Sequence, residues 1–385
     1  MLFAAPGLDA LGDEVIAEIE EYRRSMRFAL REPRRWTGQL RRNLLARAIQ
    51  GSNSIEGYDV SDEDAIAAVD DEEPLTADDT TWAEILGYRN AMSYVLQLAD
   101  DPHFSLSVEL IRSLHYIMLS HDVMKSPGRY RLKTVFVVDE GANKIVYEAP
   151  DFRMVPALCA QLVQTVVDDA ERPSFVRAAM AHLNLVMIHP FRDGNGRTAR
   201  CLQTLILARD SIVAPELSSV EEFLGRNSPS YYAVLGLVGQ GSWQPTNDAT
   251  PWIKYMLRAH HMQAQTVVGR LAEAGHMWTR LDELAADLTI HERSVPALYD
   301  CALGLRIRRS SYLRLADVEE RTATRDLQQL VDAGLLVPAG ERRGRTYSAS
   351  ESLRQVRAEA RHEMPEILDP YGGLDNILTP MSGGG

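Results

Sequence analysis

The chain has 385 residues, 45% hydrophobic and 25% charged, which excludes collagen-like, mucin-like and wholly disordered classes and leaves room for two or three compact units. Its formal net charge of −13 opposes nucleic-acid binding by the whole molecule, because phosphate is repelled before contact, and only a locally basic unit reverses that. No apolar run is long enough to span a bilayer, and Met1-Leu2-Phe3-Ala4-Ala5-Pro6 carries no basic segment, so the expectation is a cytoplasmic protein without a membrane partner.

The elements follow in order. Apolar residues at helical spacing (Val15, Ile16, Ile19, then Leu40, Leu44, Leu45, Ala48, Ile49) predict two helices between Asp13 and Gly51, broken near Pro33, the second running to Gly51 or a little beyond. The acid-rich stretch with Ser61-Asp62-Glu63-Asp64 and Asp70-Asp71-Glu72-Glu73-Pro74 reads as a short helix plus a solvated connection. Helices are expected from Thr80 to Leu98 and from Ser107 to Ser120. Thr134 to Val138 and Lys144 to Tyr147, separated by Asp139-Glu140-Gly141-Ala142-Asn143, read as a β-hairpin flap. Helices resume from Val155 to Asp169 and from Ser174 to Ile188; the second is nearly all apolar, hence central, and Pro190 must end it. Cys159, Cys201 and Cys301 are far apart and never in C-x-x-C spacing, which points to reduced, buried thiols.

The segment His189-Pro190-Phe191-Arg192-Asp193-Gly194-Asn195-Gly196-Arg197-Thr198-Ala199-Arg200 joins that central helix to another whose apolar positions include Leu202, Leu205 and Ile206. Gly194, Asn195 and Gly196 at a helix start let successive backbone N–H groups converge on an anion, with the helix dipole adding positive charge. Arg197 and Arg200, three residues apart, share a helix face and suit a polyphosphate. Asp193 is a hard oxygen ligand appropriate to Mg²⁺, and His189 is a candidate general base. Each feature alone has an ordinary structural explanation; together they fit one ligand, a metal-bound nucleoside triphosphate.

The stretch resembles the signature of the Fic family, H-P-F-x-[D/E]-G-N-G-R-x-x-R, without departure, and the similarity extends over roughly Ser107 to Leu257 with Gly128-Arg129-Tyr130-Arg131 at the entry to the flap. The resemblance implies a mainly α fold, a Fic-type helical bundle with a β-hairpin flap. It implies transfer of AMP from ATP to a Tyr, Thr or Ser hydroxyl of a target protein. His189 would deprotonate that hydroxyl, Asp193 would hold Mg²⁺, Gly194, Asn195 and Gly196 would cradle the phosphates, and Arg197 and Arg200 would bind the β- and γ-phosphates. Phe191 would anchor the loop in the core, and a small residue at Gly196 fits ordinary adenylyl transfer. Tyr231 and Tyr232 match a pair lying near the adenine in some relatives. Ser52-Asn53-Ser54-Ile55-Glu56-Gly57 matches the family's inhibitory pattern [S/T]-x-x-x-E-[G/N], which would place Glu56 on Arg200 in place of the γ-phosphate. If the helix continues to Glu56, Ser52 and Glu56 share one face one turn apart, and Gly57 ends the helix.

The C-terminal third differs in character. After a helix to Val268, Leu281 to Leu288 reads as a further helix, Ser311 to Val318 and Thr322 to Gly334 as a helix-turn-helix, and Leu335 to Pro338 with Arg345 to Ser348 as wing strands around Glu341-Arg342-Arg343-Gly344. This predicts a C-terminal winged helix-turn-helix. Thr322, Thr324, Arg325 and Gln328 are positioned for a major groove and Arg342, Arg343 and Arg345 for phosphate, while Glu319, Glu320, Asp326 and Asp332 favour protein contact instead. The expected organisation is an N-terminal helical region at 1–79, a core at 80–270, the winged helix at 271–362 and a flexible tail at 363–385. Partners are a target protein, the chain itself as a substrate, DNA through the winged helix, and a second copy in a homodimer. Two other functions are compatible with the same residues: removal of AMP from a modified protein, with Glu56 orienting the water, and a DNA-binding regulator whose Fic-like unit senses ATP.

Overall fold

A computed structural model describes residues 1–31, 34–139, 144–209, 215–341, 344–362 and 365–374. Pro33, the flap turn at 140–143, Arg342, Arg343 and the tail from 375 lie outside the described residues. The N-terminal half holds α1 (Ala10–Ala29), α2 (Thr37–Ile55), α3 (Asp62–Val69), α4 (Asp79–Ala99) and α5 (Val108–Leu119). Asp9, Ser61, Asp78 and Ser107 start α1, α3, α4 and α5 by accepting backbone N–H bonds that the first turn leaves unpaired. The flap follows as β1 (Phe136–Asp139) and β2 (Lys144–Glu148), antiparallel, with Val137 opposite Tyr147 and a bulge between Val137 and Val138. Then come α6 (Val155–Asp168), α7 (Ser174–Ile188), α8 (Asn195–Ala208), α9 (Pro215–Ser218), α10 (Glu221–Arg226), α11 (Ser228–Gly239) and α12 (Thr250–Asp287).

The end of the chain is α13 (Val295–Ala302), β3 (Ile307–Arg308), α14 (Arg309–Ala316), α15 (Glu320–Asp332), β4 (Leu336–Ala339), β5 (Thr346–Ala349) and α16 (Glu351–His362). The three strands form an antiparallel sheet in the order β3-β5-β4, with α14 and α15 between β3 and β4 in the chain. The molecule is mainly helical, as the apolar spacing predicts. All three cysteines are free and buried.

Three apolar clusters organise these elements. The first surrounds α7, with α1, α6, α8, α11 and the first half of α12. The second takes in Trp36, just before α2, with Leu40 and Leu44 of α2, the second half of α12 and the C-terminal unit. The third lies among α2, α3, α4 and α5 and includes Cys201 and Leu205 of α8. Thus α2 joins the second cluster to the third, and its end reaches the loop between α7 and α8.

Two expectations are corrected. The stretch read as one helix to Val268 and another from Leu281 is the single helix α12, within which the 270/271 boundary falls. Gly275 costs about 1 kcal/mol relative to alanine in a helix, but buried Leu271, Ala274, Met277, Trp278 and Leu281 recur at helical spacing across it and carry the helix through. The acidic connection at 70–74 is not merely solvated. Arg42 of α2 holds Asp70 at 2.8 Å and buried Asp300 of α13 at 2.8 Å, Arg314 holds Asp70 at 2.6 Å as well as Glu72, and Arg308 donates to the carbonyls of Glu73 and Pro74. Opposite charge from the C-terminal unit thus turns this stretch into a docking edge.

Candidate active site

The apolar sequence of α7 buries nearly every residue from Ser174 to Ile188, and the helix ends where His189 takes a left-handed backbone, φ 51°. That turn sends the chain outward at a fixed point. Arg131, at the entry to the flap, pins it: Nε donates to the His189 carbonyl at 2.8 Å, and the other guanidinium nitrogens reach the carbonyls of Lys133, Pro150 and Ile188. The His189 Nδ1–H donates to the Val186 carbonyl at 3.2 Å, which leaves Nε2 with a free lone pair. Burial lowers the His189 pKa, favouring the neutral ring.

Phe191 is fully buried and stacks on His115 of α5 with ring centroids 3.8 Å apart. His115 accepts from Gly128 N–H on Nδ1, so its Nε2–H donates to the Asp193 carbonyl at 3.0 Å; burial pushes its pKa down to about 4 and keeps it neutral. The Asn195 side chain closes the loop, accepting from Phe191 N–H at 2.9 Å and donating to the Phe191 carbonyl at 3.1 Å. Gly194 has φ 70°, a conformation that disfavours a side chain, and an added Cβ would also meet Leu119 at 2.9 Å. No side chain caps the start of α8, where the Gly194 N–H goes to Asp193 Oδ1 and the Thr198 N–H to the Gly194 carbonyl; a helix start of this kind suits an anion.

Both arginines of α8 are buried and both are met by carboxylates. Arg197 pairs with Glu84 of α4 and lies 3.9 Å from Asp193. Arg200 donates to Glu56 Oε1 at 2.7 Å, to Ser52 Oγ at 2.8 Å and to the Ser52 carbonyl at 3.0 Å. Arg197 Nε and Arg200 Nη1 are buried without a hydrogen-bond partner, donors that an anion in the loop would satisfy. A Cβ at Gly196 would lie 2.7 Å from Glu56 Oε1 and 3.1 Å from Arg200 Nη1, so a bare residue there keeps this space open.

Residues 105–207 match the sequence profile of the Fic/DOC family. That stretch is a Fic/DOC-type domain. It is 29% identical over 191 residues to the protein adenylyltransferase fic-1 of Caenorhabditis briggsae, and 32% identical over 177 residues to the protein adenylyltransferase Fic of Nematostella vectensis. These matches take in 49% and 46% of this chain, but the chain spans only about a third of each relative, 34% and 37%. Among solved structures, a Fic family protein from Desulfovibrio desulfuricans superimposes with a TM-score of 0.57 at 21% identity, over 90% of this chain and 98% of that one. The Fic-1 structure from Caenorhabditis elegans gives 0.53 at 24% identity, over 68% of this chain and 73% of that one. Both likenesses concern the fold.

Around the Fic loop, the remaining candidate residues lie as follows. Tyr231 is buried, its hydroxyl 2.9 Å from His182 Nε2; His182 Nδ1–H donates to Gln203 Oε1 at 2.7 Å, so Nε2 accepts from the tyrosine. Tyr232 is half exposed and donates to the Ile55 carbonyl at 2.9 Å. Four neighbours escape sequence reasoning: Glu84, Lys125, His115 and Arg131 in its pinning role. Glu84 and His115 do leave a trace, since each is a polar residue interrupting the apolar face of its helix, beside Ile85 and Tyr88 or Ile111, Leu114 and Met118. Lys125 bonds Glu84 and lies 2.9 Å from Asp193 Oδ2. Burial opposes ionisation of Glu84, but Arg197 and Lys125 outweigh it and hold that carboxyl down to about 2. Asp193 is likewise held below its ordinary range, burial again being overridden by Lys125 and Arg197.

In the C-terminal unit, Thr324, Arg325 and Gln328 are exposed on α15, but Gln328 is bonded to Asp332 and Arg325 lies 3.5 Å from Asp326. Among the described residues no helix is long and apolar enough to cross a membrane.

Proposed function

We propose that this chain transfers AMP from ATP to a hydroxyl side chain of a protein, its own included, and that Glu56 restrains the reaction. The observation that carries the reading is the state of Arg200: one nitrogen is buried without a partner beside Gly196, while Glu56 and Ser52 occupy the rest of its fork. In this reading the triphosphate lies over the start of α8, where the backbone amides, Arg197 and Arg200 neutralise its charge. His189 takes the proton of the incoming Tyr, Thr or Ser hydroxyl on Nε2, the nitrogen its bond to Val186 leaves unprotonated. The hydroxyl oxygen bonds to the α-phosphorus as the bond to the bridging oxygen breaks, and pyrophosphate leaves. Glu56, held to Arg200, denies that guanidinium to the γ-phosphate and so disfavours an aligned pose.

Asp193 is the residue that would hold Mg²⁺. A single carboxylate beside buried arginine donors that call for an anion suits an ion held by Asp193, with substrate phosphate oxygens and water supplying the rest. Bound there, the ion would neutralise charge on the phosphates. Names of the matched relatives support the adenylyl chemistry, and the identity of position 196 agrees with it.

Incubation with ATP labelled at the α-phosphate tests the reading. Glu56→Gly is expected to raise label on protein sharply, and Glu56→Gly with Arg200→Ala to lose that gain because both act through one guanidinium. Equal labelling of wild type and Glu56→Gly rejects the restraint; no label from any variant rejects the transfer.

A further inference from the structure

Lys125 is not a free surface lysine. It ends a short 3-10 turn, Val123–Lys125, that opens where Asp122 accepts from Met124 N–H at 2.9 Å and closes where Ser126 adopts φ 55°. Three hydrogen bonds fasten the turn and its exit to the Fic loop. Arg192 Nη1 donates to the Met124 carbonyl at 2.9 Å, and Gly128 N–H donates to His115, whose other nitrogen donates to the Asp193 carbonyl. The ammonium is thereby presented to two carboxylates from separate elements, Glu84 of α4 and Asp193 of the loop, and lies 3.4 Å from the Tyr58 hydroxyl. His121 Nε2, 3.2 Å from Glu84, completes the surroundings of that carboxylate together with Arg197.

A divalent ion at Asp193 needs the carboxylate that Lys125 now holds. We propose that Lys125 is a tethered cation that competes with the divalent metal for Asp193, so that metal binding requires the ammonium to give up Asp193 and keep Glu84 alone. The inference rests on the reading of Asp193 as the metal-holding residue. Glu84 gives the displaced ammonium a second, more buried partner, so the exchange leaves no buried charge unpaired. Lys125 is then a positioning residue that sets how much divalent metal the site requires.

Titration of Mn²⁺ into the full chain saturated with a non-hydrolysable ATP analogue, followed by the paramagnetic resonance signal of the protein-bound ion, tests this without any turnover. Lys125→Met keeps most of the length of the side chain and removes its charge; it is expected to bind Mn²⁺ roughly fivefold more tightly than wild type, the scale of one partly exposed ion pair. Lys125→Gln should do the same and guards against a folding defect in the first variant. In Asp193→Asn and in the double variant Lys125→Met with Asp193→Asn, that gain should be absent. Equal affinity of wild type and both Lys125 variants, with Asp193→Asn weaker, overturns the competition while leaving Asp193 as the metal carboxylate. A gain that survives in the double variant overturns it too, because the ion then goes to Glu84. If Asp193→Asn changes nothing in either background, the reading of Asp193 fails and the proposal fails with it.

Discussion

The hydroxyl of Tyr232 donates to the carbonyl of Ile55, one residue before Glu56, so a side chain of α11 holds the turn from which that carboxylate reaches Arg200. The helix proper ends at Ile55, and Glu56 has already left it, with its N–H bonded to the Asn53 carbonyl and the Gly57 N–H to that of Ser54. Removing the hydroxyl frees one acceptor at a half-exposed position where water replaces it, so the fold should barely respond. Tyr232→Phe is expected to raise self-labelling a few-fold, well short of Glu56→Gly, with an unchanged melting temperature. A labelling rate identical to wild type would return Tyr232 to a role in the nucleotide pocket alone.

His189 gives the pH dependence. Its pKa is lowered from 6.5 by burial, so the neutral ring persists below the pH at which an exposed histidine takes its proton. The acidic limb of label incorporation by Glu56→Gly should therefore be centred below 6.5. His189→Ala should abolish incorporation and leave ATP binding by calorimetry nearly intact, since the ring acts on the incoming hydroxyl. A limb centred above 6.5, or loss of ATP binding, would remove His189 from the role of base.

The buried histidines predict acid sensitivity of the fold. Burial lowers His115 to about 4, and His182 and His260 to about 3. A lowered value means the folded state holds the neutral ring while the unfolded chain protonates below 6.5. Their stabilisation is full above that point and is lost as pH falls toward the folded values. Denaturant midpoints should fall steadily from about pH 6.5 to about pH 4, where Glu84, held down to about 2, begins to add its own loss. A flat profile across that window would mean these rings are protonated in the fold.

What was legible in the sequence follows from contiguity. His189 to Arg200 lie in one run, and the end of one helix with the start of the next fixes most of their geometry. Ser52 and Glu56 are legible for the same reason, being one turn apart. Glu84, Lys125 and Arg131 come from α4, the turn after α5 and the flap entry, and only tertiary packing brings them to the loop. The docking of the acidic stretch at 70–74 depends on Arg42, Arg308 and Arg314, whose partners are chosen by how the C-terminal unit sits on α2. Periodicity reports the apolar face of an element, whereas pairing of distant charges leaves no local pattern.

The contact between α2 and α10 yields the last prediction. Gly51 and Gly225 let the two backbones meet: a Cβ on Gly51 would lie 2.7 Å from the carbonyl carbon of Glu221, and one on Gly225 would lie 2.7 Å from the Gly51 Cα. Neither obstacle is a side chain that can turn aside, so Gly51→Ala must move one helix off the other. Overpacking of this kind costs about 1–3 kcal/mol, and for a chain longer than 150–250 residues that is a fall of roughly a few degrees in melting temperature. The helix end also carries Ser52, whose hydroxyl and carbonyl both meet Arg200, so the shift acts directly on the contact that aligns Glu56. Gly51→Ala should therefore lower the melting temperature and raise self-labelling together, and Gly225→Ala, approaching the same contact from the other helix, should do both as well. Combining Gly51→Ala with Glu56→Gly should add no labelling beyond Glu56→Gly alone, because the restraint is already gone. Lower stability without a gain in labelling would show that the position of α2 against α10 does not govern Glu56.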